Sequence, residues 1–286
     1  MSTVKIAVIG GDRRQGTLAA LLANEGYECA VYALDGISIG NAVRGADLKG
    51  TVRGAAAVVL PLPVSRDGTT LNAPNAEKAP SMHSIEKSVE KDALIIGGMI
   101  NADDFPTHKV RDYYAREDLV LYNTLPTAEG ALAIAMNELP TTIHGTKTLV
   151  MGFGRVGKTL CMLLKGFGAD IVVATRNPAE IAICEIMGLE TLEYRSLEDR
   201  IQEFSLIFNT VPKVLLTLPL LEKIGDDVPV IDLATHPGGV DADAAKKLGK
   251  KLIWALSLPG KVAPVTAGEY IKKAVCGILK EEGITK

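Results

Sequence analysis

Six residues in the second half of the chain carry the clearest chemical pattern, Gly152-Phe153-Gly154-Arg155-Val156-Gly157. They follow an apolar run ending at Met151. They open a segment in which Val156, Leu160, Leu163, Leu164 and Phe167 recur along one helical face. A strand, a Gly-x-Gly-x-x-Gly turn and a helix in that order form a dinucleotide cradle. The first glycine makes the tight turn, the second lets backbone approach a pyrophosphate, and the third lets helix and strand pack closely. The helix N-terminus offers free N–H groups and a positive dipole end to the phosphates.

The end of the next strand chooses between NAD and NADP. It reads Ala174-Thr175-Arg176-Asn177, with no carboxylate for ribose hydroxyls. Arg176, with Thr175 and Asn177, suits a 2′-phosphate, so NADP is favoured over NAD. The alternative is an arginine beside a helix start, since Asn177-Pro178-x-Glu180 reads as cap residue, first-position proline and third-position carboxylate. Thr210, Val211 and Pro212 follow a further strand and are placed along the cofactor. His236, in His236-Pro237-Gly238-Gly239, is a candidate proton relay or a plain loop residue.

The first half has a counterpart loop, Gly10-Gly11-Asp12-Arg13-Arg14-Gln15-Gly16. It lacks the Gly-x-Gly-x-x-Gly spacing, so a second dinucleotide is not expected. Asp12, Arg13 and Arg14 sit where an arginine fork at a helix start grips a carboxylate, or where a solvated charge pair sits. Ser65 and Asn101 follow buried strands and face the same side. Thr127 and Glu129 open an expected helix from 128 to 139, and Glu129 is a general-base candidate or a favourable charge on a helix dipole. Lys261, in a turn rich in glycine and proline, is a candidate anion partner. His83, His108 and His144 read as surface residues.

These loops need strands and helices to hold them. Alternating apolar strands and amphipathic helices predict an α/β chain of two doubly wound parallel-sheet domains. The C-terminal one is a Rossmann NAD(P)-binding domain and the N-terminal one is Rossmann- or flavodoxin-like. Lys147–Gly152 echoes Lys5–Gly10. The expected division is 1–126 for a substrate and catalytic domain and 127–264 for the dinucleotide domain, with 127–143 as an interdomain helix. A C-terminal helix, 265–286, is expected to pack back on the first domain. A helix over 106–116 and a short strand at 120–122 are also expected.

Composition excludes several classes. A net charge of −3 and a pI near 5.9 give no basic face for nucleic acid. No apolar run reaches the roughly 18–20 residues of a membrane span, and the start runs straight into a strand without a signal-like segment. Cys29, Cys161, Cys184 and Cys276 are scattered, so neither a metal site nor a disulfide framework is expected, and a reducing cytoplasm is. No Ser-His-Asp set or Gly-Lys-Ser phosphate loop is visible.

Val8-Ile9-Gly10-Gly11-Asp12-x-Arg14-Gln15, Tyr122-Asn123-x-x-Pro126-Thr127-x-Glu129-Gly130, Ile143-His144-Gly145, the Gly152–Gly157 loop and Leu258-Pro259-Gly260-x-Val262-Ala263-Pro264-x-Thr266-Ala267-Gly268 together resemble the family of the dipicolinate synthase A subunit, in the same order along the chain. The resemblance implies NAD(P)-dependent oxidation of a dihydrodipicolinate-type intermediate to dipicolinic acid in the mother-cell cytoplasm during sporulation. It also implies a flavoprotein-like partner, the dipicolinate synthase B subunit, together with a small dicarboxylate substrate; a homo-oligomer is expected as well. Two alternatives stand beside it: a two-domain 2-hydroxy-acid or amino-acid dehydrogenase, and a non-catalytic cofactor-binding protein that supports the flavoprotein-like partner.

Overall fold

The computed structural model describes residues 3–285. Its first sheet contains β1 (Lys5–Ile9), β2 (Glu28–Tyr32), β3 (Val43–Arg44), β4 (Ala57–Val59), β5 (Leu94–Gly97) and β6 (Val110–Asp112). Its second contains β7 (Lys147–Met151), β8 (Asp170–Ala174), β9 (Glu190–Leu192), β10 (Leu206–Asn209), β11 (Val230–Asp232) and β12 (Leu252–Trp254). The strand orders are β3-β2-β1-β4-β5-β6 and β12-β11-β10-β7-β8-β9, and every pairing is parallel. Numbered from its own first strand, each sheet is the same doubly wound 3-2-1-4-5-6 arrangement. The faint echo between Lys5–Gly10 and Lys147–Gly152 therefore marks the same central strand in two copies of one topology.

Each sheet is covered on both faces. Successive side chains of a strand point to opposite sides. On β1, Ile6 and Val8 enter one apolar cluster while Ala7 and Ile9 enter another; on β7, Val150 parts in the same way from Leu149 and Met151. The central strands are buried on both faces and read as continuous apolar runs, as parallel strands do. Three of the four edge strands, β3, β6 and β9, are two or three residues long and at most partly apolar. They leave little periodic signal.

The chain forms two compact units: residues up to Asn123 together with those from Ala263 onward, and Thr124–Val262. In the first, helix Pro264–Glu281 lies along helix Arg13–Asn24. Gly268 makes this approach possible, because a Cβ there would lie 2.6 Å from the Arg14 carbonyl oxygen and 2.7 Å from Thr17 Cβ. Ile271, Ala274, Val275, Ile278 and Leu279 of this helix complete the core on one face of the sheet.

Three local expectations are corrected. The stretch 106–116 is not a helix; it holds β6 and a single turn at Tyr113–Ala115. The residues 120–122 are not a strand, because one helix runs from Glu117 to Glu138 and passes straight through Pro126. A proline inside a helix removes one N–H donor. Thr124, Ala128 and Ala131 are buried on one face and Pro126 is itself buried on another, so packing sustains the helix through the lost bond. The Pro259–Gly260 stretch, read as an irregular turn, is a short helix, Leu258–Val262.

Candidate dinucleotide site

β7 ends at Met151 and the chain turns at Gly152, whose φ is +89°. A Cβ on Gly152 would strike Thr210 Oγ1 at 2.6 Å and Val211 Cγ2 at 2.7 Å. Gly157 lies closer still, since its Cβ would fall 2.3 Å from the Gly152 carbonyl oxygen. Gly154 differs, because a Cβ there would meet nothing within 4 Å. Two glycines are thus required by the protein's own packing and the middle one faces open space, as a backbone approached by a ligand would. Gly154 also caps helix Arg155–Gly166 without any side-chain bond, so its first turn is free of a side-chain cap. Phe153 is fully buried beneath the loop, and Lys158 Nζ lies 5.9 Å from its ring centroid, adding a cation one turn into the helix. Sequence reading passed over Lys158. The residues present therefore fit a dinucleotide pyrophosphate.

At the end of β8 the Gly152 amide donates to the Ala174 carbonyl, tying the two strand ends together. Thr175 is buried, with its hydroxyl donating to Glu180 Oε2 at 2.5 Å and accepting from the Asn177 amide at 3.2 Å. Asn177 Oδ1 caps the following helix by accepting from the Ala179 amide. Thr175 and Asn177 thus serve the local turn. Arg176 alone of the three is exposed without a hydrogen bond or ion pair to the described residues. The absence of a carboxylate at this strand end is corrected: Glu180, five residues beyond Thr175, folds back to it. Tyr194 faces both charges. Burial and then Glu180 push its phenol upward, while Arg176 pulls it down.

The ends of β10 and β11 are linked by a buried pair that sequence reading did not single out. Asn209 Nδ2 donates to Asp232 Oδ1 at 2.7 Å, and Asp232 also accepts from the amides of Ala234 and Gly239. A buried carboxylate needs such donors. Asn209 Oδ1 takes the Val211 amide, and the Thr210 hydroxyl donates to the Met151 carbonyl. Thr210 and Val211 are therefore fixed against the glycine loop. Pro212 follows them. His236, exposed and joined to Pro237 by a cis peptide, has its ring 5.6 Å from that of Trp254, whose Nε1 donates to the Ala234 carbonyl. Lys261 is exposed on helix Leu258–Val262. Glu129 is exposed too. It lies in the middle of helix Glu117–Glu138, not in its first turn, so the dipole role read for it is lost. Thr127 is half-buried on the same helix.

In the first unit the equivalent helix start is closed. The Gly11 amide donates to the Asn72 carbonyl, and a Cβ on Gly10 would lie 2.4 Å from Leu71 Cδ2. The Gly11 amide is therefore already engaged within the protein. Asp12 caps helix Arg13–Asn24 in a capping box with Gln15. Its carboxylate also holds Arg14, whose Nη2 reaches the Leu62 carbonyl at 2.9 Å. Burial pulls the Arg14 guanidinium down, but Asp12 outweighs it and the net shift is upward. Arg14 is thus largely engaged within the protein, and Arg13 is the exposed one. Ser65 Oγ donates to the Thr70 carbonyl inside its own loop, and the Asn101 amide caps a short turn through Asp104 Oδ2. Asp12, Arg13, Arg14, Ser65 and Asn101 belong to the first unit; Thr127, Glu129, His236 and Lys261 belong to the second. Among the described residues no group of His, Cys, Asp or Glu could hold a metal ion, and no helix is long and apolar enough to cross a membrane.

The strand order and open glycine loop define a two-unit α/β chain with a dehydrogenase-type NAD-binding domain. Residues 127–232 match the NAD binding domain of the D-isomer specific 2-hydroxyacid dehydrogenases. Along its whole length the chain is similar to the A subunit of dipicolinate synthase, the family whose N-terminal domain model matches residues 5–121. The dipicolinate synthase A subunit of Bacillus subtilis (strain 168) is 28% identical, over 98% of this chain and 97% of that protein. The crystal structure of its Bacillus halodurans counterpart superposes with a TM-score of 0.88 at 25% identity, covering 98% of this chain and 99% of that one. An L-alanine dehydrogenase shares the fold at a TM-score of 0.70 and 15% identity, over 98% of this chain and 91% of that one.

Proposed function

We propose that the protein is an NAD(P)-dependent oxidoreductase that serves as the A subunit of a dipicolinate synthase. It would oxidise a dihydrodipicolinate-type intermediate to dipicolinate in the mother-cell cytoplasm of a sporulating bacterium. The observation that carries this reading is the full-length similarity to the dipicolinate synthases, joined to a glycine loop open at Gly154. The reaction balances as dihydrodipicolinate and NAD(P)⁺ giving dipicolinate, NAD(P)H and a proton. The dinucleotide supplies the acceptor for the electron pair.

The chain's own residues bind and orient. The glycine loop, Arg155 and Lys158 favour the pyrophosphate, and Arg176 supports a 2′-phosphate and hence NADP. Arg13 and Lys261 are exposed cations suited to a dicarboxylate. Arg14, already paired with Asp12, contributes by holding the loop. Glu129 and His236 are the exposed groups that can take a proton. Aromatisation is favourable enough that positioning dominates the protein's task. The flavoprotein-like B subunit of the synthase, together with a homo-oligomer of this chain, completes the assembly in this reading. The match of residues 127–232 to a 2-hydroxyacid dehydrogenase domain favours, as a second reading, oxidation of a 2-hydroxy acid by the same site.

The test mixes purified chain with freshly generated dihydrodipicolinate and NAD⁺ or NADP⁺, with and without the flavoprotein-like partner. Absorbance is followed at the dipicolinate and reduced-cofactor bands. Matched growth of both bands supports the proposal. Dipicolinate without reduced cofactor removes the dehydrogenase role, and no dipicolinate from folded, cofactor-bound protein favours the second reading.

A further inference from the structure

Glu180 occupies the third position of helix Pro178–Ile186, where a glutamate ordinarily reaches back to the amide of the cap residue. Here that amide, of Asn177, is taken by Thr175 Oγ1 instead. The Thr175 hydroxyl in turn donates to Glu180 Oε2, so the carboxylate is drawn over the end of β8 and away from its capping duty. Thr175 is only 3% exposed and Glu180 is half-buried, so the tether between them is part-buried. The place matters. Met151 pairs with Ala174, and the Gly152 amide donates to Ala174, so this strand end adjoins the glycine loop. In this fold the adenosine ribose lies over that strand end. Oε2 is held by the threonine, and Oε1 makes no hydrogen bond to the described residues.

We propose that Glu180, oriented by Thr175, reads the adenosine ribose of the bound dinucleotide and sets the discrimination between a 2′-hydroxyl and a 2′-phosphate. Glu180 accepts a ribose hydroxyl through its outward oxygen and repels a phosphate carried at the same position. Arg176 acts in the opposite sense. The two side chains set the preference by their balance, and Thr175 decides how closely the negative charge approaches. The inference rests on the dinucleotide reading of the glycine loop.

Equilibrium titration of the full-length protein with NAD⁺ and with NADP⁺, by calorimetry, tests it without any turnover. Glu180→Gln keeps the size and removes the charge. It is expected to raise affinity for NADP⁺ relative to NAD⁺ by about tenfold or more, the scale of one well-placed charge. Thr175→Val removes the tether and should shift the ratio in the same direction by a smaller factor. Arg176→Ala should weaken NADP⁺ and leave NAD⁺ within about twofold. If Glu180→Gln weakens both dinucleotides in parallel, with their ratio unchanged, Glu180 serves the helix alone and the proposal is overturned. If the wild-type chain binds neither dinucleotide, the glycine-loop reading itself fails, and this inference with it.

Discussion

Asp12 holds the guanidinium of Arg14 with both carboxylate oxygens, Nε to Oδ1 at 2.9 Å and Nη2 to Oδ2 at 2.8 Å. The same Nη2 crosses to the Leu62 carbonyl beyond β4. The pair therefore ties the loop after β1 to the loop after β4. Arg14→Ala would leave Asp12 Oδ2 and the Leu62 carbonyl without their donor, while Oδ1 keeps the backbone amide of residue 14. The expected loss is about 1–3 kcal/mol of stability, read as a lower urea midpoint. Arg14→Lys keeps the charge without the planar fork and should recover less than half of that loss. An unchanged midpoint in Arg14→Ala would show that the pair does not hold these loops.

The three glycines of the cradle separate folding from binding. Gly157→Ala places a Cβ 2.3 Å from the Gly152 carbonyl, so backbone must move. It is expected to lower the melting temperature and abolish dinucleotide binding together. Gly154→Ala meets nothing within 4 Å and should melt within about 1 °C of wild type, while weakening dinucleotide binding at least about tenfold by crowding the ligand. Equal binding by Gly154→Ala and wild type would contradict a pyrophosphate at that position.

Gly268→Ala tests the contact between the last helix and helix Arg13–Asn24. In a mid-helix position alanine is ordinarily better than glycine by about 1 kcal/mol. Here the added methyl meets Thr17 and the Arg14 carbonyl, and overpacking of this kind costs about 1–3 kcal/mol. A net loss of stability is expected, whereas a gain in urea denaturation would show that the two helices can move apart freely.

Burial pushes the thiols of Cys29 and Cys161 up to about 12 from an ordinary value near 9. Their folded-state values lie above those of the unfolded chain, so the folded state keeps protons that the unfolded state releases. This contribution is fully present below about pH 9 and is lost as pH rises from 9 towards 12. Stability should fall over that window, and Cys29→Ala with Cys161→Ala should flatten the fall. At about pH 8 the native protein should expose Cys276 to a thiol reagent well before the other three, since it alone is not buried. Early labelling at Cys29 would contradict the buried placement.

The fold was legible because its central strands carry runs of three or more consecutive apolar residues and its glycine turns are sharply placed. The helix through Pro126 was not, since proline reads locally as a stop and only tertiary packing keeps the helix going. Edge strands such as Val43–Arg44 carry no periodicity to detect. At the candidate site, the glycine loop and Arg176 could be read from spacing. Glu180 could not, because its sequence position is that of a capping residue and only the competing Thr175 bond redirects it. Asn209 and Asp232 stand 23 residues apart, and parallel pairing of β10 with β11 is what brings them into contact. For Asp12 and Arg14 a solvated charge pair was one of the two readings, but its part-buried setting and the reach of Arg14 to the Leu62 carbonyl, 48 residues away, were not visible.

Trp254 is the sole tryptophan of the chain, and it stands at the end of β12 beside His236. Its emission therefore reports on the NAD-binding half alone, while circular dichroism sums over both halves. Following the two signals through one denaturant series would time the melting of each half separately. Coincident curves would mean that two copies of one topology unfold as a single cooperative body, and displaced curves would rank them.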